Sequence, residues 1–188
     1  MSYFGENWDD ADYPLAYLIT IRTFGSWLHG DERFSIDAHG DYNVFGAPKR
    51  PRNPNLLRMM AKNMKTSPLK FNKSQRIVVH EAIQEVCKNR GYKQYAINVR
   101  PSHTHAVVRA KIKPEIIADS FKAYATRSLR EKGLISNDVK PWSRGRSRRY
   151  LWKPNHVDAA IDYVLYCQGG DPFEYWYNLK YDESNKYV

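Results

Sequence analysis

Two strand-like segments stand back to back near the middle of the chain. They are "YKQYAINVR" (Tyr92–Arg100) and "HTHAVVRAKI" (His103–Ile112), with only Pro101 and Ser102 between them. Runs of β-branched and aromatic residues separated by so short a break read as an antiparallel hairpin. Each side of the hairpin carries an amphipathic helix. "SQRIVVHEAIQEVCKNRG" (Ser74–Gly91) repeats apolar residues at Ile77, Val78, Ala82, Val86 and Cys87, with Ser74 as its expected cap and Gly91 as its stop. "KPEIIADSFKAYATRSLREKG" (Lys113–Gly133) has its stripe at Ile117, Phe121, Tyr124 and Leu129, with Pro114 in its first turn. A buried strand, "LAYLITIRT" (Leu15–Thr23), precedes this block, and a short strand at Arg149–Trp152 follows it. The order predicts an α+β fold, a ferredoxin-like βαββαβ antiparallel sheet with helices on one face. A further helix over Asn155–Gly170, capped by Asn155, follows the last strand, with its stripe at Val157, Ala160, Ile161, Val164 and Leu165.

The 188 residues are read as one domain over 1–170, a long basic loop at 24–73, and a tail at 171–188. The loop holds four glycines and three prolines between Phe24 and Asn55, yet keeps Trp27 and other aromatic anchors. That composition marks an ordered functional loop rather than a linker. The tail, with Phe173, Tyr175, Trp176, Tyr177 and Tyr181, is expected to pack on something. No apolar run reaches the ~20 residues of a membrane helix, so no membrane partner is expected. The N-terminus is acidic and aromatic, unlike a signal peptide. Cys87 and Cys167 suggest no disulfide framework, which places the protein in the cytoplasm.

The formal charge is +10, but its distribution says more. Residues 1–41 carry eight acids and two basic residues, and residues 171–188 carry four acids and two lysines. Between them 26 Lys and Arg face eight acids. From Lys49 to Arg76 there are nine basic residues and no acid. A basic body between acidic ends attracts polyanions, nucleic acid first among them.

Within the hairpin, His103 and His105 are two residues apart on a strand and therefore project from the same face. Two imidazoles do not complete a zinc set, and the chain offers no close Cys and His cluster. A divalent cation such as Mg²⁺ or Mn²⁺, which takes few protein ligands and fills its shell with water or phosphate oxygens, suits a basic protein acting on a phosphate substrate. Phosphoryl transfer also needs a nucleophile, for which an activated water, a serine or a tyrosine is a candidate. Of 14 tyrosines, Tyr163 and Tyr166 are best placed, on the last helix beside the basic aromatic segment 140–153. His80, on or beside a helix core face, is read as structural.

"YLITIRTFGSWLHGDERFSID", "NVRPSHTHAVV", "FKAYATRSLREKGLI" and "RYLWKPNHVDAAIDYVLYCQGG" together closely resemble the REP-associated branch of the tyrosine transposases that act on single-stranded DNA. The resemblance spans roughly residues 15–170. It implies a ferredoxin-like core in which His103 and His105 bind Mg²⁺ or Mn²⁺. It also implies that Tyr163 attacks a DNA phosphate to leave a 5′-phosphotyrosine and a free 3′-hydroxyl. Gln168 stands for the third ligand, because Cys167, which occupies the usual slot four residues after the tyrosine, is a poor ligand for such a cation. Thr104 takes a middle position that relatives fill with a hydrophobe. The basic segments imply DNA contacts at Lys70, Lys73, Arg144, Arg146, Arg148 and Arg149, and Trp142, Tyr150 and Trp152 are expected to stack on unpaired bases. Implied substrates are single-stranded DNA hairpins, bound by a monomer or homodimer. "FGSWLHGD" shares the resemblance with no residue role attached. The competing expectation is a protein on the same fold that binds single-stranded nucleic acid without cutting it.

Overall fold

The computed structural model of the chain describes residues 13–32, 51–64 and 66–168. The hairpin forms as the sequence expects. Strand β2 (Lys93–Val99) pairs antiparallel with β3 (His103–Arg109), with Val99 opposite Thr104 and Asn98 opposite His105. The first strand, β1 (Ala16–Arg22), inserts on the other side of β3 and places Thr20 opposite His105 and Arg22 opposite His103. Strand β4 (Ser147–Leu151) closes the outer edge of β1, also antiparallel. The sheet order is β2-β3-β1-β4, so the hairpin lies at one side and the two long-range partners at the other.

Four helices complete the chain: α1 (Pro54–Lys62), α2 (Lys73–Arg90), α3 (Pro114–Glu131) and α4 (Pro154–Tyr166). The sheet alternation divides them. Tyr17, Ile19, Ile21, Ile97, Val99, Ala106 and Val108 point one way and pack with Val79, Ile83 and Val86 of α2 and Ile117, Phe121 and Leu129 of α3. Ala16, Ala96, Val107 and Leu151 point the other way and pack with Val157, Ala160, Ile161 and Val164 of α4. The expected pair of helices on one face is thus joined by a third layer on the other. Burial of each large aliphatic side chain in these layers contributes about 1.5–3 kcal/mol.

Two expected caps move. α2 begins one residue earlier than Ser74. Asn72 is its cap, accepting from the Gln75 amide while the Gln75 side chain accepts from the Asn72 amide, each at 2.9 Å. This reciprocal box satisfies two donors that a lone serine would leave to water. In α4, Asn155 lies inside the helix and caps nothing. Pro154 takes the first turn behind Lys153, which makes no side-chain cap bond. Proline's fixed φ and missing N–H suit that position.

The long loop, expected to be irregular throughout, contains a short amphipathic helix. α1 starts at Asn53, whose side chain accepts from the Leu56 amide at 3.0 Å. Gly30 lies against that start, with φ at 88° and room for no Cβ, since one would run into the Asn53 carbonyl oxygen. Gly30 also accepts the Asn53 amide at 3.0 Å. The loop is fastened to the sheet where Leu69 donates to Phe24 and Phe71 to Pro101. Residues 33–50 of the loop and the aromatic tail lie outside the described residues. Among the described residues, no helix is long and apolar enough to cross a membrane.

Candidate active site

β3 alternates cleanly. Thr104 is 1% exposed and faces the α2/α3 core, taking the buried place of a hydrophobe. His103 and His105 face the α4 side, beside Val107. Their rings meet edge to face with centroids 4.7 Å apart. Each ring has a hydroxyl at Nδ1. Thr20 Oγ1 lies 2.8 Å from His105 Nδ1, and Ser102 Oγ lies 3.0 Å from His103 Nδ1. β1 supplies Thr20 because its register sets that residue directly opposite His105.

α4 brings the tyrosine. Its apolar stripe seats it on β2 and β3, and Asn98 of β2 donates to the Val164 carbonyl at 2.8 Å, fixing the last turn. Tyr163 projects next to Val164 and packs edge to face on His105, with centroids 5.4 Å apart. The residue remains 42% exposed. Tyr166 is 66% exposed, one turn further along the helix.

The helix ends at Tyr166, and this decides the reach of Gln168. Cys167 leaves helical geometry and is exposed. Gln168 then turns back. Its amide nitrogen donates to the Tyr163 carbonyl at 2.7 Å, and the side chain comes near enough to His105 to raise that imidazole's pKa. On a continued helix, five residues would carry Gln168 about 140° from Tyr163. Chain exit at Tyr166 removes that obstacle.

Burial pushes the His105 imidazole down to about 3, assisted by His103, Arg22 and Arg100, against the Gln168 contact, which raises it. The ring is therefore neutral at ordinary pH, the form in which an imidazole ligates a cation. Arg22 and Arg100 flank the pair. Arg22 is the partner of His103 in the β1–β3 pairing, and the Arg100 amide donates to the His103 carbonyl at 2.7 Å. The Arg22 guanidinium carbon lies 3.5 Å from the centroid of the Trp27 ring.

His103, His105 and Gln168 give two nitrogen donors and one amide oxygen. Among the described residues no cluster of three His, Cys, Asp or Glu competes for a metal. Anchored imidazoles with a single oxygen donor fit a cation that keeps open positions, as Mn²⁺ and Mg²⁺ do. Thr20, Ser102, Asn98 and Arg22 were not singled out by the sequence reading. Thr20 and Arg22 are spaced i, i+2 in a strand, a signal that becomes specific only once the β1–β3 register is known.

The expected DNA contacts divide. Arg149 alternates with Leu151, which is buried under α4, and so lies on the histidine side of the sheet. Arg146 and Arg148 instead pair with Asp119 at 2.7 Å and Glu115 at 2.6 Å, both on α3. Arg144 and Lys70 are exposed in loops, Lys70 beside the strap that fastens Phe71 to Pro101, and Lys73 is exposed at the start of α2. Tyr150 and Trp152 stack with centroids 6.3 Å apart and are 41% and 43% exposed. Trp142 does not present a stacking face. It packs edge-on against Phe71, and its indole N–H donates to the Lys122 carbonyl and to Thr126, each at 3.1 Å. His80 is fully buried in α2.

The family model described as "Transposase IS200 like" matches residues 59–161. The hairpin, α3, β4 and Tyr163's helix up to Ile161 fall almost wholly within that span. Among solved structures, one of a REP-associated tyrosine transposase bound to a REP hairpin aligns at 11% identity with a TM-score of 0.44, over 80% of this chain. The chain spans 64% of that protein's length. A protein of Deinococcus radiodurans R1 described as a candidate transposase aligns at 11% identity with a TM-score of 0.41, covering 85% of this chain and 94% of the other. No protein of curated function matches the chain.

Proposed function

The chain belongs to the IS200-like transposase family, and on that premise we propose that it cleaves and rejoins single-stranded, hairpin-bearing DNA through Tyr163. The observation that carries this reading is the contact chain from His103 to His105 to Tyr163, which puts a part-exposed tyrosine against a pair of anchored imidazoles. The hairpin substrate follows from the sequence resemblance, and the basic body supports a polyanionic one.

In this reading His103 and His105 would hold a divalent cation, leaving Nε2 as the nitrogen each ring can offer, since hydroxyls occupy Nδ1 of both. Gln168 completes the protein's share with its amide oxygen. When bound, the cation polarises the scissile phosphate and offsets charge on the departing oxygen. Thr20 fixes the tautomer and plane of His105, as a hydrogen bond to the distal nitrogen of a ligating histidine does. Tyr163 Oη forms a bond to phosphorus as its proton passes to water. The bond from phosphorus to the 3′-oxygen breaks, and that oxygen leaves as a 3′-hydroxyl after taking a proton. The product is a 5′-phosphotyrosine, and attack by a 3′-hydroxyl reverses the step. Asn98 and Gln168 hold the turn on which Tyr163 rides through the Val164 and Tyr163 carbonyls.

Incubation with hairpin-bearing single strands from the DNA flanking its gene, in Mn²⁺, tests the reading. The expected result is a covalent protein–DNA adduct that denaturing gels retain and that Tyr163→Phe abolishes, while Tyr166→Phe keeps it. An adduct that survives Tyr163→Phe and disappears in Tyr166→Phe makes Tyr166 the nucleophile. Tight binding with no adduct supports a binding protein without chemistry.

A further inference from the structure

The segment "FGSWLHGD" has no part in the chemistry above, yet its tryptophan touches the site through one side chain. Arg22 is the last residue of β1, on the same face as Thr20, which contacts His105. Its Cα partner across the sheet is His103, and its charge lowers the His105 pKa. The guanidinium carbon sits 3.5 Å from the centre of the Trp27 ring. Trp27 is held in turn. Thr23 donates its hydroxyl to the Ser102 carbonyl at 3.0 Å, Ser26 donates to the Thr23 carbonyl at 2.9 Å, and Gly25 turns the chain at φ 69° against Pro68.

A guanidinium laid flat on a ring keeps its N–H donors around the edge of its plane. In that orientation arginine takes two phosphate oxygens at once. Stacking also costs the side chain its rotamer freedom before the substrate arrives, so less is lost on binding. From the Arg22–Trp27 stack beside the histidine pair, and resting on the transposase reading above, we propose that Arg22 grips the two non-bridging oxygens of the scissile phosphate. Trp27 is its positioning residue. Arg22 makes and breaks no covalent bond. It holds the phosphate in line for Tyr163 Oη and meets the charge that builds on those oxygens as the fifth bond forms.

The test uses the full chain and the hairpin oligonucleotide that yields the Tyr163 adduct. Arg22→Ala is expected to slow single-turnover adduct formation by about 10²–10³-fold, the usual loss for one preorganised donor. Arg22→Lys, which keeps the charge but not the fork, is expected to recover only part of it. Trp27→Leu is expected to slow the step by about 10-fold with little change in DNA affinity, and Trp27→Phe to restore it, since a ring still offers a face. A second readout needs no turnover. In the Tyr163→Phe background without metal, a neutral methylphosphonate at the scissile link is expected to weaken binding about 10-fold when Arg22 is present and not at all in Arg22→Ala. Equal adduct rates for Arg22→Ala and the parent overturn the proposal while leaving the Tyr163 chemistry standing. So does an unchanged methylphosphonate penalty in Arg22→Ala. A parent protein that forms no adduct removes the transposase reading, and this inference with it. Thermal melts separate a lost fold from a lost clamp, and Arg22→Lys keeps the test open if the alanine variant unfolds.

Discussion

Thr20 shows how one side chain joins the fold to the chemistry. It is 8% exposed, in the middle of β1, and its hydroxyl lies 2.8 Å from His105 Nδ1. Thr20→Val keeps the β-branched shape and removes only the hydroxyl, so the strand remains and the ring loses its anchor. Partners of this kind typically set 10–100-fold of metal affinity. Titration of Mn²⁺ against the protein, followed by the cation's paramagnetic signal, is expected to show a loss of that order in Thr20→Val and a near-normal affinity in Thr20→Ser. Equal affinities in all three would mean that His105 does not ligate with its orientation set by Thr20. The His-x-His spacing made both imidazoles visible in the sequence, because period two is a property of any strand. Thr20 was hidden, because cross-strand register depends on which strands pair and not on local pattern. Gln168 stood between: the sequence names it as a candidate, and its return toward Tyr163 depends on where α4 stops.

Helices and strands were read well wherever periodicity was strong, and the misses have local causes. α1 is nine residues inside a basic, proline-rich loop, where the flanking prolines and charges mask the short apolar stripe of Leu56, Leu57 and Met60, and its start is fixed by Asn53 against Gly30. α4 lies across the sheet from α2 and α3 because β-strand alternation leaves two apolar faces, a fact the linear order of elements does not reveal. α2 carries a further consequence. It buries His80 completely, and desolvation lowers that imidazole to about 3. The folded chain therefore keeps His80 neutral through the window in which the unfolded chain, titrating near pH 6.5, takes up a proton. Between about pH 6.5 and 3 the unfolded state binds more protons, so stability is full above this window and is lost as the pH falls through it. The slope from this group is at most ~1.4 kcal/mol per pH unit. Urea unfolding in chelator at several pH values from about 7 to 4 is expected to show a shallower acid loss in His80→Leu than in the parent. The metal-free site contributes its own acid slope through His105, shifted in the same direction, and the comparison of the two proteins cancels it. Identical slopes would show that His80 is protonated in the folded state or reached by water.

At the scale of the whole molecule, the sheet separates two electrostatic surfaces. On the α2/α3 side, Glu81, Glu85, Glu115, Asp119 and Glu131 meet Lys132, Arg127, Arg148 and Arg146 at 2.6–3.6 Å. Such exposed pairs contribute little to stability, but each cancels a charge that a phosphate would otherwise feel. On the α4 side, Arg22 and Arg100 bracket the histidines and Arg149 projects from the same face of the sheet. Charge counting along the sequence could not separate Arg148 from Arg149, which are neighbours in a basic run. Strand alternation sends them to opposite faces, and a carboxylate on α3 engages one of them. A strand of DNA that reaches Tyr163 must lie along the α4 side. Neutralising one phosphate contact lowers the slope of log affinity against log salt by about 0.7 for a single strand. Arg149→Ala is therefore expected to weaken binding of a hairpin with a single-stranded flank and to lower its salt slope by about that amount, as followed by fluorescence anisotropy across salt concentrations. Arg148→Ala is expected to leave the slope unchanged, because Arg148 is engaged by Glu115 and has no phosphate contact to lose. If Arg148→Ala lowers the slope and Arg149→Ala does not, the DNA runs along the α3 side of β4, past the stacked Tyr150 and Trp152, and must cross the sheet edge to meet Tyr163.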